Sequence, residues 1–244
     1  MSFSLGIRKK IVSWIRKNLR QSGCRGIVLG LSGGVDSACA AALCKEAAGR
    51  SKVLALILPC HSHVQDLRDS GLVARMLGIK AQTVDLSGIY DSFVKILPRA
   101  SRIASANLKP RLRMVSLYYF ANKLNYLVCG TGNKSEIMVG YFTKYGDGAA
   151  DILPLADLSK TKVRLLAGEL DIPKRIIDKP PSAGLWPGQT DEDEMGISYR
   201  ELDDILECLE SKQKQKAPRE KVNKVKQMVW RSAHKRQSPN ICYI

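Results

Sequence analysis

Three consecutive segments limit this chain to few folds: GIVLGL at 26–31, the glycine turn SGG at 32–34, and an Ala-rich stretch from Asp36 to Ala48. The first is a short, β-branched apolar run that reads as a buried strand, and the third has the composition of a helix. The same alternation continues downstream. Val53 to Leu58 and Ala81 to Asp85 read as strands, with helices over Val64 to Leu77 and Ser87 to Leu97. A helix over Arg111 to Leu124, a strand over Tyr126 to Gly130 and a Ser-capped helix over Ser159 to Leu170 follow. Ile7, Ile11, Trp14, Ile15 and Leu19 recur at helical spacing ahead of the first strand, and Ile197 to Leu209 and Glu220 to Lys235 close the chain as helices. The predicted fold class is α/β, a doubly wound open parallel sheet of about five strands with helices on both faces. Ligands of such sheets bind at the carboxyl ends of the strands, where this sequence places SGGVDS, PCHSH and GTGNKSE.

At 244 residues the chain suits one core, so a single domain over 1–244 is expected. Lys and Arg number 39 against 23 Asp and Glu, a net charge of +16, which points to anionic partners. Part of that excess lies in a basic run that includes Lys212, Lys214, Lys216, Lys224 and Arg231. Aromatic interleaving is nearly missing there, so the run reads as a solvated helix face rather than a nucleic-acid stripe. Seven cysteines form no CxxC pair, and three histidines supply no structural zinc spacing. Without an apolar signal segment or a run long enough to span a bilayer, reduced thiols and a cytoplasmic location are expected.

A strand that delivers Ser32, Gly33 and Gly34 to a helix N-terminus gathers backbone N–H groups and a helix dipole at one point, which favours phosphate. Ser32 and Ser37 add hydroxyls. Asp36 adds a carboxylate that belongs beside phosphate only if a cation neutralises it, and Mg²⁺ is the natural one. GTGNKSE contains Lys134-Ser135 but lacks the glycine that a Walker A lysine needs before it, and no GxGxxG follows the first strand. An ordinary P-loop NTPase and a dinucleotide dehydrogenase are thereby set aside. Asp178 to Gly196 holds three prolines and three glycines without an apolar period, and is expected to be a loop that closes as a lid over substrate. Within it Asp191, Glu192, Asp193 and Glu194 look like a metal cluster, yet Thr190 with Asp193 also makes a helix cap.

SGGVDS resembles the signature of ATP pyrophosphatases that adenylate carboxyl, urea or carbonyl groups. The downstream runs GTGNKSE, GYFTKYGDG at 140–148, LPL at 153–155, PSAGLW at 181–186, MGISY at 195–199 and the pair His234-Lys235 resemble the NAD synthetase family over nearly the whole chain. The resemblance implies ATP-dependent amidation of deamido-NAD through an adenylate, with AMP and pyrophosphate released. It assigns ATP to Gly30, Leu31, Ser32, Gly33, Gly34, Val35, Asp36, Ser37, Thr131, Lys160 and Ser182. Mg²⁺ falls to Asp36 and Glu136, catalysis to Asp36 and Lys160, and deamido-NAD to Arg111, Lys144, Asp151, His234 and Lys235. Pro110, just before Arg111, is expected to reshape the approach to that arginine. A homodimer is implied as well. With no amidase domain in the sequence, free ammonia is the expected nitrogen donor, a separate glutaminase subunit being the alternative. A tRNA-binding, sulfur-inserting enzyme with the same loop is disfavoured, because neither a catalytic cysteine pair nor an RNA-binding appendage can be located.

Overall fold

The computed structural model describes residues 3–186, 188–211 and 217–242. In chain order the elements are α1 (Phe3–Gln21), β1 (Gly26–Gly30), α2 (Val35–Ala48), β2 (Val53–Ile57), α3 (Val64–Leu77), β3 (Lys80–Thr83) and α4 (Ser87–Ile96). They continue with α5 (Arg102–Ala106), α6 (Leu108–Leu124), β4 (Tyr126–Cys129), α7 (Lys134–Val139), α8 (Lys160–Glu169), α9 (Lys174–Ile177), α10 (Asp191–Met195), α11 (Tyr199–Ser211) and α12 (Arg219–Arg231).

The sheet is parallel throughout, in the order β3-β2-β1-β4. It has four strands among the described residues rather than about five. Where a fifth would join, beyond β4, the chain makes only a single parallel bridge between Cys129 and Ile152. Ile152 lies in the turn-rich passage after GDG, which supplies no apolar run long enough to pair further.

Because strand side chains alternate faces, each face of the sheet builds its own core. Ile27 and Leu29 of β1, with Val53 and Ala55 of β2, pack against α1, α2, α8 and α9. Val28, Leu54, Leu56 and Val128 pack on the opposite side against Leu86, Ala121 and the inner edge of α6. Ten of the fourteen residues of α2 are buried, and its alanines let neighbouring helices and β1 approach closely. A third apolar cluster joins α7, α10, α11 and α12 beside the sheet.

The pattern-derived boundaries hold within a few residues, and α3 spans the expected Val64–Leu77. The short helices α5, α7 and α9 carry no periodic signal of their own and are not among the expected elements, α7 beginning inside the GTGNKSE loop segment. Two further segments also differ. Pro110 falls in the first turn of α6, where no N–H is required of it, so the helix starts before the proline. The 178–196 stretch is not loop throughout, since Thr190 caps the short helix α10 by accepting from Asp193 N at 3.2 Å. The KQKQK stretch at 212–216 lies outside the described residues.

Candidate active site

Strand order reverses direction at β1, which has β2 on one side and β4 on the other, so the loops after β1 and β4 open a crevice between them. The glycine loop forms its floor. Gly33 has φ +79°, and a Cβ there would stand 2.5 Å from the Asp66 carbonyl oxygen, so only glycine fits. Ser37 Oγ donates to Gly34 O at 3.0 Å and lies 3.0 Å from Ser32 Oγ, which fixes the turn. Gly34, the N-cap of α2, has no side chain over the helix end. The first N–H groups of α2 therefore face a cavity of about 490 Å³ and are free to receive an anion.

Asp36 enters from the first turn of α2. From the facing loop, Asn133 Nδ2 donates to Asp36 Oδ1 at 2.9 Å. Asn133 also caps α7: its side chain accepts from Glu136 N at 3.1 Å, and its own N–H donates to Glu136 Oε2 at 3.4 Å. That capping box aims Glu136 at Asp36. Between the two carboxylates sits Lys160, the first residue of α8 and 3% exposed. Its Nζ donates to Asp36 Oδ2 at 2.6 Å and to Glu136 Oε1 at 3.0 Å. The Tyr199 ring lies 4.9 Å from the same ammonium, and the Tyr199 hydroxyl donates to Glu136 Oε1 at 3.3 Å and to Asp191 Oδ2 at 2.9 Å.

This cluster carries three acids against one base. Burial pushes Glu136 up to about 7, with Lys160 opposing and Asp36 and Asp191 adding to the rise. Burial pulls the other way on Lys160, but its two carboxylates outweigh it and hold the ammonium above the usual lysine value. Asp191 is likewise raised, first by burial. Two hard carboxylate oxygens, from Asp36 and Glu136, at the mouth of a phosphate-binding loop suit a magnesium ion. No group of three or more His, Cys, Asp or Glu side chains among the described residues forms a metal cage. A cation here would need phosphate oxygens to complete its shell, which is how Mg²⁺ is commonly held.

Gly30, Leu31, Ser32, Gly34, Val35, Ser37, Thr131, Ser182 and Lys235 also line the cavity. Ser182 lies on the segment that walls one side. Lys179 pins that wall to the floor, its Nζ donating to Asp66 Oδ1 at 2.5 Å, Asp69 Oδ2 at 3.0 Å and Gly33 O at 3.4 Å. Lys235 Nζ donates to Gly140 O at 2.7 Å and Phe142 O at 2.8 Å, and burial lowers it. Arg111, Lys144, Asp151 and His234 do not line this cavity of a single chain. Arg111 is exposed, and its Nη2 reaches only Lys144 O, at 3.5 Å. Lys144 Nζ donates to His234 O, and Asp151 accepts from Val128 N at 2.7 Å and Tyr118 Oη at 3.2 Å.

Asn133, Tyr199, Lys179 and Arg113, all near the cluster or the cavity wall, escaped the sequence reading. Asn133 alone had a legible sign, the Asn-x-x-Glu spacing inside GTGNKSE. Tyr199 and Arg113 look like ordinary helix residues until the fold brings their tips inward.

An open parallel sheet with an uncapped glycine loop at its switch point, and a buried lysine bridging two acids beside it, defines an ATP-dependent ligase of the pyrophosphate-loop class. Within that class, residues 7–239 match the family model for NAD synthase. The NH(3)-dependent NAD(+) synthetase of Archaeoglobus fulgidus is 52% identical over 238 residues, covering 97% of this chain and 96% of that protein. The chain belongs to the NAD synthase family. Among solved structures, an NMN synthetase from Francisella tularensis superposes with a TM-score of 0.93 at 39% identity, with full coverage of both chains. The NH3-dependent NAD synthetase from Campylobacter jejuni gives 0.88 at 30% identity, again with full coverage.

Proposed function

We propose that this chain adenylates the nicotinate carboxylate of deamido-NAD with ATP and lets ammonia displace AMP, forming NAD. The observation that carries the reading is the convergence of Asp36, Glu136 and Lys160 at the open N-terminus of α2. A carboxylate resists ammonia because it has no leaving group, and AMP supplies one. Gly30 to Ser37 cradle the polyphosphate, with Thr131 and Ser182 as further contacts. Mg²⁺ on Asp36 and Glu136 neutralises phosphate charge when bound. Lys160, released from the two carboxylates as that charge enters, aims its ammonium at the α-phosphate oxygens where negative charge grows. No protein nucleophile takes part. The 178–186 wall, held by Lys179, shields the adenylate from water. The single domain over 1–244 uses free ammonia. No helix among the described residues is long and apolar enough to cross a membrane.

Two copies form the working unit in this reading. Phe93, Ile96, Ile103, Val115 and Tyr119 are large apolar side chains left exposed on α4, α5 and α6, surface that a second copy would cover. Arg111, Lys144, Asp151 and His234 then serve the dinucleotide near that interface rather than inside one chain's cavity.

A second reading concerns the acceptor. The likeness to an NMN synthetase, with four dinucleotide contacts lying off the cavity, favours nicotinate mononucleotide as a competing acceptor with the same reacting carboxylate. Incubation with ATP, Mg²⁺, ammonium and equimolar deamido-NAD and nicotinate mononucleotide, with NAD, NMN and AMP quantified, decides between them. NAD in excess supports the first reading and NMN in excess the second. ADP in place of AMP, or neither amide, overturns both.

A further inference from the structure

The first turn of a helix leaves N–H groups without helical partners, and α8 satisfies its own from its N-cap and from two other helices. Lys162 N donates to the N-cap Ser159 Oγ at 3.4 Å. Lys160 N donates to Ser135 Oγ of α7 at 2.9 Å. Thr161 N donates to Asp203 Oδ2 of α11 at 2.8 Å, and the Thr161 hydroxyl donates to the same oxygen at 2.6 Å. The other oxygen of Asp203 accepts from the Ser135 hydroxyl. Asp203 is 7% exposed. Its two oxygens thus bind residues immediately beside Glu136 on α7 and Lys160 on α8.

One carboxylate therefore joins the two short helices whose side chains converge on Asp36. It touches neither reacting group. Its charge also sits at the positive end of the α8 dipole, where it strengthens each bond it accepts. One turn earlier on α11, the Tyr199 hydroxyl reaches Glu136 Oε1, so α11 grips the pair at two points on one face. The neighbouring acid Glu207 instead makes a partly exposed 3.6 Å contact with Lys162. An asparagine at 203 can still accept from Thr161 through its oxygen, but its amide can only donate to Ser135 Oγ, so the charge is gone and the Ser135 hydroxyl hydrogen loses its acceptor.

We propose that Asp203 is a positioning residue for the adenylation site, holding Lys160 and Glu136 in register through Thr161 and Ser135. The inference rests on the reading that Lys160 and Glu136 serve ATP. Displacing reacting groups by about an ångström costs on the order of a hundredfold in rate.

The test compares the wild-type chain with Asp203→Asn, Thr161→Val and Ser135→Ala. Each is assayed for kcat and KM with ATP, ammonium and the better acceptor, for the Mg²⁺ concentration giving half-maximal rate, and for the folded fraction. In Asp203→Asn, kcat per folded molecule should fall about ten- to a hundredfold, with the half-maximal Mg²⁺ concentration raised and the acceptor KM little changed. Thr161→Val, which keeps the backbone bond, should show a smaller fall of the same kind, and so should Ser135→Ala. If Asp203→Asn does not fold, these two carry the test. A folded Asp203→Asn with kcat within about twofold of wild type and an unshifted Mg²⁺ requirement would overturn the proposal, as would losses in every variant that merely track the unfolded fraction. Wild-type chain that forms no AMP overturns the underlying reading instead, which keeps the two failures apart.

Discussion

Replacing Lys160 with methionine removes the ammonium, keeps most of the stem, and strands two half-buried carboxylates. Lys160 Nζ lies 2.6 Å from Asp36 Oδ2 and 3.0 Å from Glu136 Oε1 at 3% exposure. Removing one partner of a buried ion pair costs about 3–5 kcal/mol, because the other charge stays behind unpaired. The loss must depend on pH. Glu136 is pushed up to about 7 by burial although Lys160 opposes the shift, so without the lysine it rises further. A carboxylate raised on folding binds a proton that the unfolded chain does not, and stability falls as pH rises towards the folded pKa. Below about pH 7 this happens in both proteins. Above about pH 7 it continues mainly in the variant, adding a deficit of at most about 1.4 kcal/mol per pH unit. The raised pKa of wild-type Lys160 keeps its own contribution intact across this range, since such a term is lost only as pH climbs through the folded value. Urea unfolding followed by tryptophan fluorescence, with chelator present, reads both effects. With a slope of about 1–3 kcal/mol per molar urea, the midpoint difference between the proteins should widen from about pH 7 to about pH 8, by at most roughly 0.5–1.4 M. A difference that stays constant or narrows would refute the reasoning.

Other outcomes follow from the same geometry. Asp36→Ala should abolish AMP formation while far-UV circular dichroism stays native, and retained turnover would contradict its placement at the polyphosphate. Gly33→Ala meets the Asp66 carbonyl oxygen at 2.5 Å in a backbone of φ +79°; a loss of about 1–2 kcal/mol from the left-handed conformation alone, with a raised KM for ATP, is expected in melts and steady-state assays, and an unchanged KM counts against the tight turn. Burial pushes Asp69 up, but hydrogen bonds from Lys179 and Gln65 and the charges of Lys179 and Arg175 hold it below the ordinary aspartate value. Its stabilising share is present above the unfolded pKa and lost as pH falls through the folded one, so Lys179→Ala should flatten the acid limb of a stability–pH profile. The same substitution should quicken proteolysis within 178–186, and an unaltered cleavage rate would show that Lys179 does not hold that wall.

How much of the site was legible varies residue by residue. Asp36 could be placed from sequence because a strand, two glycines and a helix leave its carboxylate one place to go. Lys160 could be named only through the family likeness: by position it is simply the residue after a helix-capping serine, more readily solvated than buried. Only the approach of α8 to α2 and α7 turns it inward, and the residues that enforce that approach, Ser135, Thr161 and Asp203, are separated by 68 positions at the extreme. Asp151 shows the reverse case. Its acidic side chain fits a ribose contact by type, and only the fold shows that its two oxygens also accept from Val128 N and Tyr118 Oη, which fixes the direction of the carboxylate.

Local order was the sequence's to determine: strand and helix periods, the parallel alternation, the phosphate loop and the family likeness all depend on residues near one another in the chain. Tertiary structure decided what depends on distant segments meeting. It set the strand count, since a fifth strand needs a pairing edge and not only a pattern, and it buried Lys160 between two acids. It also determined which basic and acidic residues face the cavity and which hold the backbone around it, because side-chain direction follows from packing against elements that no local window contains.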